Sequence, residues 1–224
     1  MGYISVAIDG PSGAGKSTIA RAAAERLRYI YVDTGAMYRA IGLAVCRKGI
    51  AEDDAEAIAA ALPSIDVSLA YEGGAQHVLL CGEDVSEAIR TPEIARYASK
   101  VSAVPAVRQF LLDLQRGMAA RSNILMDGRD IGTVILPEAP VKIFLTASSA
   151  VRAARRCKEL REKGQQVTLE SVKADIEARD KLDMSRPVAP LRQAEDAVLL
   201  DTSDMTLAQS IEAVLRIIKE KIEG

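Results

Sequence analysis

The eight residues Gly10-Pro11-Ser12-Gly13-Ala14-Gly15-Lys16-Ser17 constrain this chain more than any other feature. They match the phosphate-cradling pattern G-x-x-x-x-G-K-[ST] in full, and their flanks are those the pattern needs. Residues 3–9 are a short β-branched run that reads as a buried strand, and residues 18–27 are an Ala-rich stretch that reads as helix. Glycines let successive backbone N–H groups converge on phosphate oxygens, and the helix N-terminus adds its positive dipole end. Lys16 can reach the β- and γ-phosphates, and the Ser17 hydroxyl can hold Mg²⁺. A nucleoside triphosphate held by residues 10–18, including Thr18, is therefore expected. A guanine-reading Asn-Lys-x-Asp sequence is absent, which argues against a GTPase. The cradle alone does not separate a kinase from other nucleotide hydrolases.

Beyond this motif the sequence alternates short apolar runs with longer amphipathic ones. Strands are expected at residues 29–32, 123–126, 141–146 and 197–200. Helices are expected at 38–48 (stopped by Gly49), about 52–64, 92–104, 106–120, 151–163 and 169–179. Asp33–Gly35 is expected to turn the chain, and Ile211, Leu215, Ile218 and Ile222 to mark the buried stripe of a last helix. The alternation predicts an α/β fold, a parallel sheet covered on both faces. Residues 65–69 and 76–81 break it: they read as a hairpin around Glu72-Gly73-Gly74, an insertion in a smaller lobe.

Three charged segments stand where ligands bind in open α/β sheets, or close to it. Asp33-Thr34-Gly35-Ala36-Met37-Tyr38-Arg39 follows the second strand, and Asp127-Gly128-Arg129-Asp130 follows the third core strand. Arg179-Asp180-x-x-Asp183-x-x-Arg186 is expected to follow a helix. Singly, each could be a capped, solvated turn; together they favour a site. Asp33 and Asp127 could each orient Mg²⁺-bound water or simply cap the next turn. Arg152, Arg155 and Arg156 share a helix face, either solvated and balanced by Glu159 and Glu162 or closing as a lid over a nucleotide.

Ile8-Asp9-Gly10-Pro11-Ser12-Gly13-Ala14-Gly15-Lys16-Ser17, Asp33-Thr34-Gly35-Ala36-Met37-Tyr38-Arg39, Gly128-Arg129-Asp130-Ile131-Gly132-Thr133-Val134 and Arg186-Pro187-Val188-Ala189-Pro190-Leu191 resemble the bacterial-type cytidylate kinase family, and the match runs nearly end to end. Thr34 stands where the family often has Ser, so a hydroxyl is retained. The resemblance implies a P-loop nucleoside monophosphate kinase with a monophosphate-binding insert and a short lid. The expected core is about 1–34, 121–150 and 184–224, with the insert about 35–120 and the lid about 151–183. It implies that Thr34, Arg39 and Arg129 hold the acceptor phosphate, that Ser99, Arg108 and Asp130 read cytosine, and that Tyr38, Arg179 and Asp183 contact the sugar. Lys16, Arg129 and Arg186 would act at the transferring phosphoryl group, and Arg156 would bind ATP. The expected reaction moves the γ-phosphate of ATP to CMP, or dCMP, with Mg²⁺. A kinase for UMP, dTMP or shikimate, or a nucleotide-binding regulatory module without turnover, are the rival readings.

The remaining composition bounds the partners. Net charge is −2, so nucleic acid or an anionic membrane is not expected as a partner. No apolar run approaches the roughly 18 residues of a membrane span. The three cysteines are scattered without metal spacing, and residues 1–9 read as strand and not as a signal peptide, so a cytoplasmic protein is expected; a monomer is a separate expectation. The single histidine, His77, lies in an alternating segment and reads as a surface strand residue.

Overall fold

The computed structural model describes residues 2–72, 75–162 and 164–223. In chain order the elements are β1 (Ser5–Asp9), α1 (Lys16–Leu27), β2 (Ile30–Asp33), α2 (Thr34–Arg47), α3 (Ala55–Ala61), β3 (Val67–Glu72), β4 (Ala75–Leu80) and β5 (Glu83–Asp84). There follow α4 (Pro92–Val101), α5 (Pro105–Ala119), β6 (Ile124–Gly128), β7 (Val141–Thr146), α6 (Ser149–Glu162), α7 (Leu169–Ser185), β8 (Val198–Asp201) and α8 (Leu207–Glu223). The chain divides into two compact units, one of Met1–Tyr31 with Asn123–Gly224, the other Val32–Ser122.

The first unit is built on a five-stranded sheet of order β2-β6-β1-β7-β8. The pairings β1–β6, β1–β7 and β7–β8 are parallel, with Val6 opposite both Leu125 and Val141. Val6, Ala7 and Ile8 are fully buried, as are Ile124, Leu125 and Met126. Burial on both faces explains why these strands read as continuous apolar runs instead of alternating ones. Ile19, Ala20, Ala23 and Ala24 of α1 and Ile211, Val214, Ile217 and Ile218 of α8 join the same core. The stripe of α8 thus differs from expectation: Ile222 is 40 % exposed and Leu215 only partly buried.

Helices α6 and α7 share a smaller core of Ala153, Cys157, Val172 and Ile176. Thr168 caps α7 by accepting from the Ser171 amide at 3.1 Å. The helix runs on to Ser185, past the expected end at 179, so Arg179, Asp180 and Asp183 lie within it and Arg186 at its C-terminal cap. Their charge suggested a solvated end, yet Asp180 and Asp183 are buried on an inner face.

In the second unit α2 begins at Thr34, so the expected turn at 33–35 is the first helical turn. Asp33 caps it, accepting from the Ala36 amide at 2.9 Å. Gly49, at φ 68, follows the end of this helix as expected. At Gly42 helix α2 meets α4 closely: a Cβ there would lie 3.0 Å from the Ala98 amide nitrogen. Pro105 is the first residue of α5, where its missing N–H costs nothing. The insert is an antiparallel sheet β3-β4-β5, with Val67 opposite Leu80. Its third strand was not expected, because Glu83–Asp84 is too short to show a period. The predicted turn glycines Gly73 and Gly74, and Lys163, the expected last residue of the helix from 151, lie outside the described residues. His77 is partly exposed on β4 and hydrogen-bonds Asp84 at 2.8 Å. No helix among the described residues is long and apolar enough to cross a membrane.

Candidate active site

In the first unit the strand β1 delivers the chain into the P-loop. Gly10 sits at φ 152, and a Cβ there would fall 1.9 Å from the Leu145 carbonyl oxygen. Gly15, left-handed at φ 84, caps α1 and offers no side chain to its first N–H groups, which suits an anion. The helix begins at Lys16, two residues before the expected 18. Lys16 is buried, and its Nζ donates to the Pro11 carbonyl at 2.8 Å. Burial, and next the neighbouring Arg129, push its pKa down to about 7.

The Ser17 hydroxyl donates to Asp127 Oδ2 at 3.0 Å, and the Tyr31 hydroxyl donates to Oδ1 at 2.8 Å. Asp127 therefore serves the P-loop serine, whereas Asp33 realises the capping alternative. Among the described residues no cluster of three or more His, Cys, Asp or Glu could hold a metal. A hydroxyl beside a carboxylate suits Mg²⁺, which takes few protein ligands and completes its shell with phosphate and water.

Asp9, to which the sequence motif assigned no role, closes β1 as a buried carboxylate. It accepts from the amides of Ile131 and Gly132 at 2.8 and 2.7 Å. These begin a π-helical turn, Ile131–Ile135, directly after Arg129 and Asp130. Burial raises Asp9 to about 7, against the two amide bonds that lower it. A charged residue ending an apolar strand was the signal available in the sequence.

Arg129 Nε donates to Asp183 Oδ2 at 2.9 Å, and Arg186 lies 4.0 Å from Oδ1 of the same carboxylate while donating to the Ala189 carbonyl at 2.9 Å. The unit thus gathers Lys16, Arg129, Asp183 and Arg186, and Asp130 is buried next in sequence to Arg129. Arg179 is half-buried on α7. The arginines of α6 part company. Arg156 is exposed and pairs with Glu159 at 2.7 Å. Arg155 donates to the Thr202 carbonyl at 2.7 Å. Arg152 is buried against Asp180 at 2.6 Å. The solvated-face reading fits Arg156 alone. Thr18 is exposed on the first turn of α1.

The second unit gathers its own set. Thr34, Tyr38 and Arg39 lie on the first turns of α2, with Thr34 buried. Arg39 Nη2 donates to Asp33 Oδ2 at 2.8 Å, and its buried Nε has no hydrogen-bond partner. Arg108 stacks over the Tyr38 ring at 5.6 Å and donates to the Ser102 carbonyl at 3.2 Å. The Ser102 hydroxyl in turn donates to the carbonyl of Ser99 at 2.8 Å. Gln76 of the insert accepts from the Asp33 amide at 2.9 Å, a contact that spacing did not reveal.

Comparison with known proteins adds to this geometry. The family model described as cytidylate kinase matches residues 6–220. The chain is 50 % identical over 216 residues to a cytidylate kinase of Syntrophotalea carbinolica, covering 96 % of this chain and 92 % of that protein. It is 48 % identical over 217 residues to one from Caldicellulosiruptor saccharolyticus, covering 97 % and 96 %. Among solved structures, an uncharacterized protein from Eubacterium ventriosum shares the fold at a TM-score of 0.54 and 12 % identity, over 96 % of this chain and 98 % of that one.

Proposed function

Since the chain belongs to the cytidylate kinase family and is therefore a nucleoside monophosphate kinase, we propose that it transfers the γ-phosphate of ATP, with Mg²⁺, to CMP and to dCMP. The observation that carries the donor side is Lys16. Its ammonium is buried, held by the Pro11 carbonyl and crowded by Arg129. A phosphate oxygen would supply the counter-charge that burial withholds. Gly10–Thr18 bind the triphosphate in this reading, and Arg156, exposed on α6, exchanges its Glu159 partner for the nucleotide. Ser17 and Asp127 would hold Mg²⁺, which when bound spreads the charge of the β- and γ-phosphates.

Phosphoryl transfer to an ionised monophosphate needs no strong base; it needs alignment and positive charge. Lys16, Arg129 and Arg186 supply that charge. On the acceptor side Thr34, Arg39 and Arg129 bind the monophosphate, and the unpaired Nε of Arg39 supports this. Ser99, Arg108 and Asp130 are assigned to the base, and Tyr38, Arg179 and Asp183 to the sugar. We assign residues about 35–120 to the acceptor lobe, about 151–183 to a lid and the remainder to the core. The working unit is a cytoplasmic monomer, a location supported by three free cysteines.

The test is an acceptor panel of CMP, dCMP, UMP, dTMP and shikimate with ATP and Mg²⁺. CMP and dCMP are expected to give the highest kcat/KM. A preference for another acceptor overturns the assignment, and ADP release that ignores added CMP marks a regulatory module.

A further inference from the structure

The P-loop is gripped by two residues to which no substrate contact is assigned. Asp180 Oδ1, on α7, accepts from the Ser12 amide at 3.1 Å. Its Oδ2 takes Arg152 Nη1, from α6, at 2.6 Å. The same guanidinium nitrogen donates to the Ser12 carbonyl at 2.8 Å, and Arg152 Nε donates to the Ala147 carbonyl at 2.8 Å. Both side chains are 7 % exposed. Gly13 runs against the same helices, since a Cβ there would meet Arg152 Cβ and Ile176 Cδ1 at 3.5 Å.

Holding the N–H and the C=O of one residue fixes two successive peptide planes, Pro11–Ser12 and Ser12–Gly13. The first plane matters most. Its N–H points to Asp180, so its carbonyl, that of Pro11, points the other way, and this oxygen receives Lys16 Nζ at 2.8 Å. A buried ion pair is weak evidence for net stability, because desolvation offsets the Coulomb gain. Orientation of the loop is the feature that apolar packing would not reproduce. One turn further along α7, Asp183 holds Arg129 in the same manner.

We propose that Asp180 and Arg152 are positioning residues: they orient the Pro11–Ser12 peptide so that its carbonyl places the Lys16 ammonium for phosphate. This rests on the P-loop holding the phosphoryl donor as proposed above.

Three variants test it: Asp180→Leu, the double variant Arg152→Met with Asp180→Leu, and Asp180→Asn. The readouts are Tm, kcat, KM for ATP, ATP affinity by calorimetry, and CMP affinity without ATP. Asp180→Leu alone is expected to lower Tm, because Arg152 keeps a buried charge without its partner. The double variant is expected to regain Tm yet remain about tenfold or more below wild type in kcat/KM for ATP, with CMP affinity unchanged. Asp180→Asn keeps an oxygen for the Ser12 amide and is expected to retain more activity than Asp180→Leu. A double variant that recovers activity together with Tm overturns the proposal and leaves the pair purely structural. So does an Asn variant as impaired as the Leu variant. ATP calorimetry reads the same contrast on folded protein if the acceptor is not CMP, so failure of that assignment is separable from failure of this one.

Discussion

Asp183 and Arg129, 54 residues apart in the chain, are joined by a 2.9 Å bond from Nε to Oδ2, with side-chain exposures of 7 % and 21 %. The carboxylate is thereby engaged by a guanidinium, with Arg186 on its other oxygen. A helix residue that reads as an acceptor for a sugar hydroxyl also aims an arginine.

Asp183→Ala removes one partner of a mostly buried pair. Unfolding free energy is expected to fall by about 3 kcal/mol, the low end for such a loss because Arg129 keeps some solvent. Urea melting measures it. If the 2′-hydroxyl is the part of the sugar that Asp183 contacts, the accompanying loss in kcat/KM is expected to be larger for CMP than for dCMP. Equal losses would remove Asp183 from 2′-hydroxyl recognition and leave it the aiming of Arg129.

Lys16 and Asp9 give opposite pH signatures. Lys16 titrates near 7 when folded, against an ordinary 10.5, so its buried charge destabilises the ligand-free protein below about pH 7, and this penalty fades as pH rises toward 10.5. Lys16→Met is expected to raise the ligand-free Tm more at pH 6 than at pH 10, while lowering kcat by on the order of a hundredfold. A folded variant with near-normal kcat would defeat the P-loop mechanism. Asp9 is raised from 3.8 to about 7, so the folded protein keeps a proton that the unfolded chain has released. Its contribution to stability therefore declines between about pH 4 and pH 7. Asp9→Asn is expected to flatten that decline in a pH series of melts.

Asp130 is the proposed reader of the cytosine amine. Uracil presents an O4 acceptor where cytosine presents an N4 donor, so a carboxylate there disfavours UMP. Asp130→Ala is expected to cut kcat/KM for CMP much more than for UMP. An unchanged ratio in side-by-side kinetics would make its burial beside Arg129 purely structural.

At Gly10 the constraint is steric. Its φ of 152 and the 1.9 Å approach of a would-be Cβ to the Leu145 carbonyl set two backbones against each other. Neither can move as a flexible side chain would. Gly10→Ala is expected to cost more than about 4 kcal/mol, the range reserved for core disruption, in urea or thermal melts.

The P-loop, the central strands and the charge-bearing motifs were legible in the sequence because each is written in adjacent residues. Strand 141–146 and the cradle at 10–17 depend on local pattern, and the structure has β7 at Val141–Thr146 and α1 opening at Lys16. Element ends were less legible. The expected stop at 179 failed because Asp180 and Asp183 look like solvated charges until Arg152 and Arg129 are packed against them. The partners themselves were beyond reach of any spacing rule: Ser12 and Asp180 are 168 residues apart, and Tyr31 and Asp127 are 96 apart. The sequence by itself determined which groups could bind phosphate. Only the tertiary structure decided which of them are held in place, and by what. Burial makes a charge costly unless it is paired, and burial is a property of the packed chain, not of its local order.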